Sequence, residues 1–217
     1  MRSTFCIAAL PALAISLAAA VPAAAHTVEL QAEETLTETL GERVLADGAA
    51  RASIAGPLQG SIYPYALLHT ADEREIEFRL QNNLILPLES VMIIAQQSAQ
   101  KGELLGFSQS YPEAVGYMND IFYLSTLKAA SNAERATDAN ARRVALTDGW
   151  TYWQTIRAAA TAASPAAAQT IEDLFARNPA EPFTSANETA LYAALNDPAI
   201  LRALNIAAAI TVRHPPE

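Results

Sequence analysis

The chain has 217 residues, with 14 lysines and arginines against 23 aspartates and glutamates, and one cysteine, Cys6. The formal net charge of −9 argues against nucleic acid and anionic lipid as partners, because both attract basic surfaces. A single cysteine excludes a disulfide framework within the chain and a site of several thiolate ligands.

Residues 1–25 have the pattern of a cleaved secretory signal peptide. Arg2 supplies the positive charge, an apolar run extends from Ile7 to Val21, and three alanines end the segment. Fifteen apolar residues are fewer than the ~20 that a helix needs to cross a bilayer, so removal is favoured over anchoring. We therefore predict a bacterial protein that is periplasmic or secreted, with no membrane span after leader removal.

Residues 26–60 are predicted to form an N-terminal arm and a loop. Leu36, Leu40 and Val44 recur every four residues, as on one side of a helix, whereas an alternation just before them is typical of a strand. Six acidic side chains keep this first part solvated, and both alternatives stay open. Glycine recurs over 48–60, which predicts the loop.

Residues 61–212 are predicted to form a helical domain, followed by a frayed tail at 213–217. The stretch 72–80 permits a helix or a strand. Alternating apolar residues are typical of a strand, but Thr70 and Glu73 have the spacing of a capping box, so a helix is favoured.

The most apolar segment outside the leader predicts a central helix over 87–102. Pro87 suits a first helical turn, and Gly102 suits a C-terminal cap. Apolar side chains between them cover most of the helix circumference, which is typical of a helix buried among others. The predicted fold class is therefore mainly α, a helical bundle of about five to seven helices around this buried central helix.

Four more helix starts are predicted from capping residues, at Ser110, Ser164, Ser185 and Asp197. The dipeptide Asp148-Gly149 predicts an interruption of the helical pattern. No repeat of fixed period indicates a solenoid, so short turns between alanine-rich helices favour a bundle.

Local catalytic motifs are lacking: the sequence has no phosphate-binding loop, nucleophile elbow or metalloprotease helix. His69 lies near acidic residues, as a general base does, but an ordinary histidine at the end of an apolar segment has the same pattern. His26 becomes N-terminal if cleavage follows Ala25, and its amine and ring then offer copper ligands, with His69 or His214 as a partner. These residues support an alternative hypothesis of an envelope enzyme, either a hydrolase using His69 or a copper-dependent redox protein using His26.

Trp150, Tyr152 and Trp153 form the densest aromatic cluster. Such rings suit a platform for sugar or peptide, but the three-residue spacing of the tryptophans favours core packing. The carboxylate of Glu89 is interpreted as complementing a helix N-terminus rather than as a buried acid with a raised pKa, and Asp120 is interpreted as facing water.

The preferred function is that of a non-catalytic periplasmic or secreted helical module that binds a partner protein, an apolar ligand or an envelope component. Methionine side chains adapt to varied apolar partners, and tyrosines flank the predicted central helix. We therefore predict an apolar groove beside that helix, with four ligand-binding residues: Tyr63, Met92, Met118 and Tyr117. No cofactor and no nucleic acid partner is predicted.

Overall fold

A computed structural model describes residues 65–81, 83–101 and 104–212. Over these residues the chain forms seven helices and no strand: α1 Tyr65–Phe78, α2 Ile85–Lys101, α3 Leu104–Arg135, α4 Ala139–Ala163, α5 Pro165–Phe175, α6 Ser185–Leu195 and α7 Pro198–Ala203. The prediction of a mainly α bundle of five to seven helices is confirmed. None of the described helices is long and apolar enough to cross a membrane. The predicted leader, arm and tail lie outside the described residues.

Helix α3 lies at the centre of the bundle. It packs against α1, α2, α4 and α6. All eight side chains from Asp120 to Leu127 are buried, which covers the full circumference of the helix. This helix, rather than the segment at 87–102, is the element that the others surround.

The segment predicted as the central helix forms α2, which packs against α1 and α3. Leu88 and Val91 are buried on one side, while Ile93 and Ile94 are exposed. The apolar composition of this segment predicted a central position, because apolar side chains cover two sides of the helix. Composition alone does not tell whether both sides are covered within one domain.

Glu75 of α1 caps the N-terminus of α2. Its Oε2 accepts hydrogen bonds from the backbone N–H groups of Leu84 at 3.2 Å and Ile85 at 2.8 Å. The first N–H groups of a helix lack partners within it, so a carboxylate there satisfies donors and complements the helix dipole. Helix α1 confirms the helical alternative for 72–80 up to Phe78, but the predicted cap, Thr70, lies buried inside the helix.

Helix α3 begins at Leu104, so the predicted helix start at Ser110 is wrong. The Ser110 hydroxyl donates to the carbonyl oxygen of Gly106 at 2.9 Å, one turn earlier, instead of capping a new helix. Pro112 lies inside α3. Its missing N–H removes one helical hydrogen bond, and the packing of α3 on its neighbours outweighs this loss.

The predicted interruption at Asp148-Gly149 is also wrong, since α4 is continuous through both residues. A β-carbon at Gly149 would overlap the ring of Phe175 and lie 3.0 Å from Cβ of Ala129. Glycine therefore occupies this position because α3 and α5 approach the α4 backbone closely, and not because the chain turns there.

The other predicted helix starts agree with the structure to within one residue. Ser164 precedes α5, and Asp197 caps α7 by accepting from the N–H of Ala199 at 2.7 Å. The predicted start at Ser185 shifts to Thr184, whose hydroxyl and backbone N–H form a capping box with Asn187. These starts depend on neighbouring residues only, which is why the sequence predicts them well.

Gly149→Ala is expected to lower the free energy of unfolding by about 1–3 kcal/mol, because the new methyl group must displace Phe175 or separate the helices. Urea denaturation followed by circular dichroism measures the change. Gln154→Ala, at an exposed position of the same helix, is the control and should change the stability by less than about 0.5 kcal/mol. A Gly149→Ala protein as stable as the original would contradict the close approach.

Candidate functional site

The structure describes two of the four residues predicted to line an apolar groove. Met118 is fully buried in the core. Tyr117 is partly exposed and lines a pocket of about 200 Å³. Tyr63 and the side chain of Met92 lie outside the described residues, so the groove as a whole stays a prediction.

His69 lies on an exposed surface of α1. Its Nε2 is 3.6 Å from Oε1 of Glu73, and 66% of the histidine side chain is exposed. A general base must lie within reach of a bound substrate, and substrate sites are usually concave, whereas His69 lies on an exposed helix surface. Among the described residues no three histidine, cysteine, aspartate or glutamate side chains are grouped to hold a metal ion. His26 lies outside them, and Glu89 is exposed.

Asp120 is buried, so the prediction that it faces water is wrong. Its Oδ1 accepts a long hydrogen bond of 3.4 Å from the backbone N–H of Ala207. Burial raises the pKa of Asp120 to about 7, although the Ala207 bond acts in the opposite direction. No local pattern predicts this burial, because the segment that covers Asp120 lies almost ninety residues away along the chain.

The pocket of about 200 Å³ lies beside Asp120, between α3 and the chain after α7. Its lining consists of Glu113, Gly116, Tyr117, Asp120, Asn205, Ile206 and Ala207. Burial, together with the nearby carboxylates of Glu113 and Asp120, raises the pKa of Tyr117. The pocket is thus small and acidic on its α3 side.

Polar side chains of α3 also hold the C-terminal segment in place. Asn119 Nδ2 donates to the carbonyl oxygen of Leu204 at 3.0 Å, and the N–H of Val212 donates to the hydroxyl of Tyr123 at 3.2 Å. Buried polar groups are stable only when hydrogen-bonded, and these pairs meet that requirement. The Asp120–Ala207 bond belongs to the same row of contacts, which gives Asp120 a structural role.

A larger apolar pocket of about 300 Å³ lies where α4 meets α5 and the turn that follows α5. We call it the Trp150 groove; its lining residues are Arg143, Leu146, Thr147, Trp150, Phe175, Ala176, Arg177 and Pro179. Leu146 and Phe175 are buried at its base, and Trp150 is 36% exposed. The aromatic cluster therefore divides: Trp153 is fully buried, as the prediction of core packing required, whereas Trp150 forms a wall of the groove.

Two arginines place positive charge at this groove in an otherwise acidic chain. Arg143 donates to the amide oxygen of Asn140 at 2.8 Å, and Arg177 contacts a carboxylate oxygen of Glu181 at 3.3 Å. Exposed ion pairs of this kind contribute little stability, so an incoming carboxylate competes for Arg177 at small cost. Arg157, bridged to Glu172, lies 5.9 Å from the centre of the Trp150 ring and adds a cation–π contact.

Asp120→Asn is expected to flatten the pH dependence of stability between about pH 4 and pH 7. The folded protein binds the Asp120 proton more tightly than the unfolded chain does, so this stabilisation is complete below about pH 4 and is lost as the pH rises through about 7. Asparagine keeps an acceptor for Ala207 without a charge to bury. As the pH rises, the free energy of unfolding of the variant should therefore increase relative to that of the original protein, by on the order of 1–4 kcal/mol.

Urea denaturation at a series of pH values measures this effect. Asp173→Asn, which removes an exposed carboxylate from α5, is the matched control for the loss of one acidic side chain. An Asp120→Asn protein with the pH slope of the original would show that Asp120 does not titrate in this range.

Comparison of the chain with protein families, with curated proteins and with solved structures gave no match.

Proposed function

We propose that this chain is a non-catalytic helical module of the cell envelope, and that its Trp150 groove binds an apolar side chain flanked by carboxylates in a partner protein. One observation carries the proposal: a partly exposed tryptophan, Trp150, lies beside two arginines over an apolar base. The signal-peptide pattern of residues 1–25 supports the envelope location.

The size of the groove favours a partner side chain over a large ligand. A volume of about 300 Å³ is at the lower end of the range for small-molecule sites. Residues that carry most of the energy of a protein interface are often tryptophan and arginine, clustered around a pocket for one partner residue. Trp150, Arg143 and Arg177 form such a set.

The charge of the groove favours an acidic partner segment. Guanidinium groups bind carboxylates through two parallel hydrogen bonds, and these charge-assisted bonds are stronger than neutral ones. Burying an apolar side chain contributes about 1.5–3 kcal/mol, and a hydrogen bond to a charged group a similar amount. After the cost of association, a single groove of this kind implies a Kd in about the micromolar to millimolar range.

The alternative, an envelope enzyme using His69 or His26, has less support. His69 is exposed beside Glu73 on the outer side of α1, and it lines neither the Trp150 groove nor the pocket beside Asp120. No observation on the described residues favours a role for His26 in copper chemistry. The binding hypothesis has a built groove in its favour.

The test is isothermal titration with two short synthetic peptides, one with a phenylalanine flanked by glutamates and one with the same phenylalanine flanked by lysines. The glutamate peptide should bind at least about tenfold more tightly, because its carboxylates reach Arg143 and Arg177. Trp150→Ala and the double variant Arg143→Gln/Arg177→Gln should each weaken its binding by about tenfold or more. Raised salt should weaken binding to the original protein.

Gln154→Ala is the matched control, because it alters an exposed residue of α4 outside the groove lining. It should bind the glutamate peptide as the original does. Equal affinity for both peptides, or unchanged binding by the Trp150→Ala protein, would contradict the proposed site.

A further inference from the structure

Helix α2 has an apolar side that the described residues leave exposed. Leu86, Ile93 and Ile94 are 53%, 38% and 49% exposed. They lie at i, i+7 and i+8, so they share one side of the helix. Leu88 and Val91 are buried on the other side. Three large aliphatic side chains, with the exposed Ser90 among them, thus lie on one exposed side of the helix, which we call the α2 outer face.

The N-terminal arm carries a stripe of matching length. The segment from Leu36 to Val44 has nine residues, as Leu86 to Ile94 has, and a helix rises ~12 Å over those eight steps. Glu34, Glu38 and Glu42 have the same four-residue spacing, offset by two positions, so in a helix they lie on the opposite side. The arm would thus offer an apolar side to the protein and an acidic side to water.

Chain connectivity brings this stripe close to the α2 outer face. The arm leads into α1, and α1 packs against α2. The 20 residues at 45–64 join the stripe to α1. A random-coil chain of that length spans roughly 22–27 Å, and a fully extended one up to about 70 Å. A tether of this length keeps the stripe at about millimolar effective concentration, so a modest apolar contact is well populated.

We propose that residues 36–44 of the chain itself cover the α2 outer face, with Leu36, Leu40 and Val44 packed on Leu86, Ile93 and Ile94. The two apolar sides of α2, which make it the most apolar segment after the leader, are then both buried. One side packs within the bundle and the other packs under the arm. The surface differs from the Trp150 groove, so this inference does not depend on the proposed function.

Thiol labelling tests the inference on a protein that begins at His26, because residues 26–217 contain no cysteine. Ile94→Cys places a thiol in the α2 outer face, and a maleimide reagent reports its accessibility. In the intact arm background the thiol should react slowly. The arm variant Leu36→Ser/Leu40→Ser/Val44→Ser should raise the rate by about tenfold or more.

Thr161→Cys, at an exposed position of α4, is the control and should react at one rate in both arm backgrounds. Circular dichroism checks the fold of the triple variant, and Leu40→Ser alone repeats the comparison if helicity changes. Equal rates for Ile94→Cys with and without the arm changes would overturn the inference. Protection that grows with protein concentration would also overturn it, since a second copy would then be the cover.

Discussion

The burial of helix α3 on every side is the constraint on which the rest of the structure depends. From Asp120 to Leu127 every side chain is buried, so neighbouring helices must surround this part of α3. The Ser131 hydroxyl donates to the carboxylate of Glu188 and lies 3.2 Å from the hydroxyl of Tyr192, which joins α3 to α6. Burial raises the pKa of Tyr192 to about 12, so its hydroxyl stays neutral in this contact.

The same constraint shapes the Trp150 groove. Helix α4 packs along α3. At Gly149 the ring of Phe175 in α5 lies so close to the α4 backbone that only a residue without a side chain fits there. Phe175 is therefore held at the base of the groove. The next residue, Trp150, is turned about 100° around the helix from Gly149, which moves it from the buried contact to the edge of the groove. The exposure of Trp150 at the edge of the groove thus follows from the close helix packing at the neighbouring Gly149.

Local features of the fold were predictable from the sequence. The cap at Asp197 and the start at Ser164 depend on residues within one turn, and the helical periodicity of each buried side is similarly local. The same rules failed at Ser110 and at Gly149, because the packing of α3 overrides a local capping signal and demands a glycine inside a helix.

The candidate site was less predictable, because it is assembled from distant parts of the chain. Trp150 and Phe175 are 25 residues apart, and nothing near either residue shows that they meet. One signal was present: tryptophans three residues apart differ by about 60° around a helix, so one can lie in the core while the other lies at its edge. The burial of Asp120 had no such signal, since Ala207 covers it from the far end of the chain.

Native-state hydrogen exchange, measured on residues 26–217, tests the central position of α3 most directly. The amides from Met118 to Ala130 should be the slowest to exchange, with opening free energies close to that of global unfolding, because every side of this segment is packed. Helix α7 and the ends of α2 should open at lower free energy. Slowest exchange within α2, with α3 opening more easily, would contradict this arrangement and make the segment at 87–102 the core of the domain.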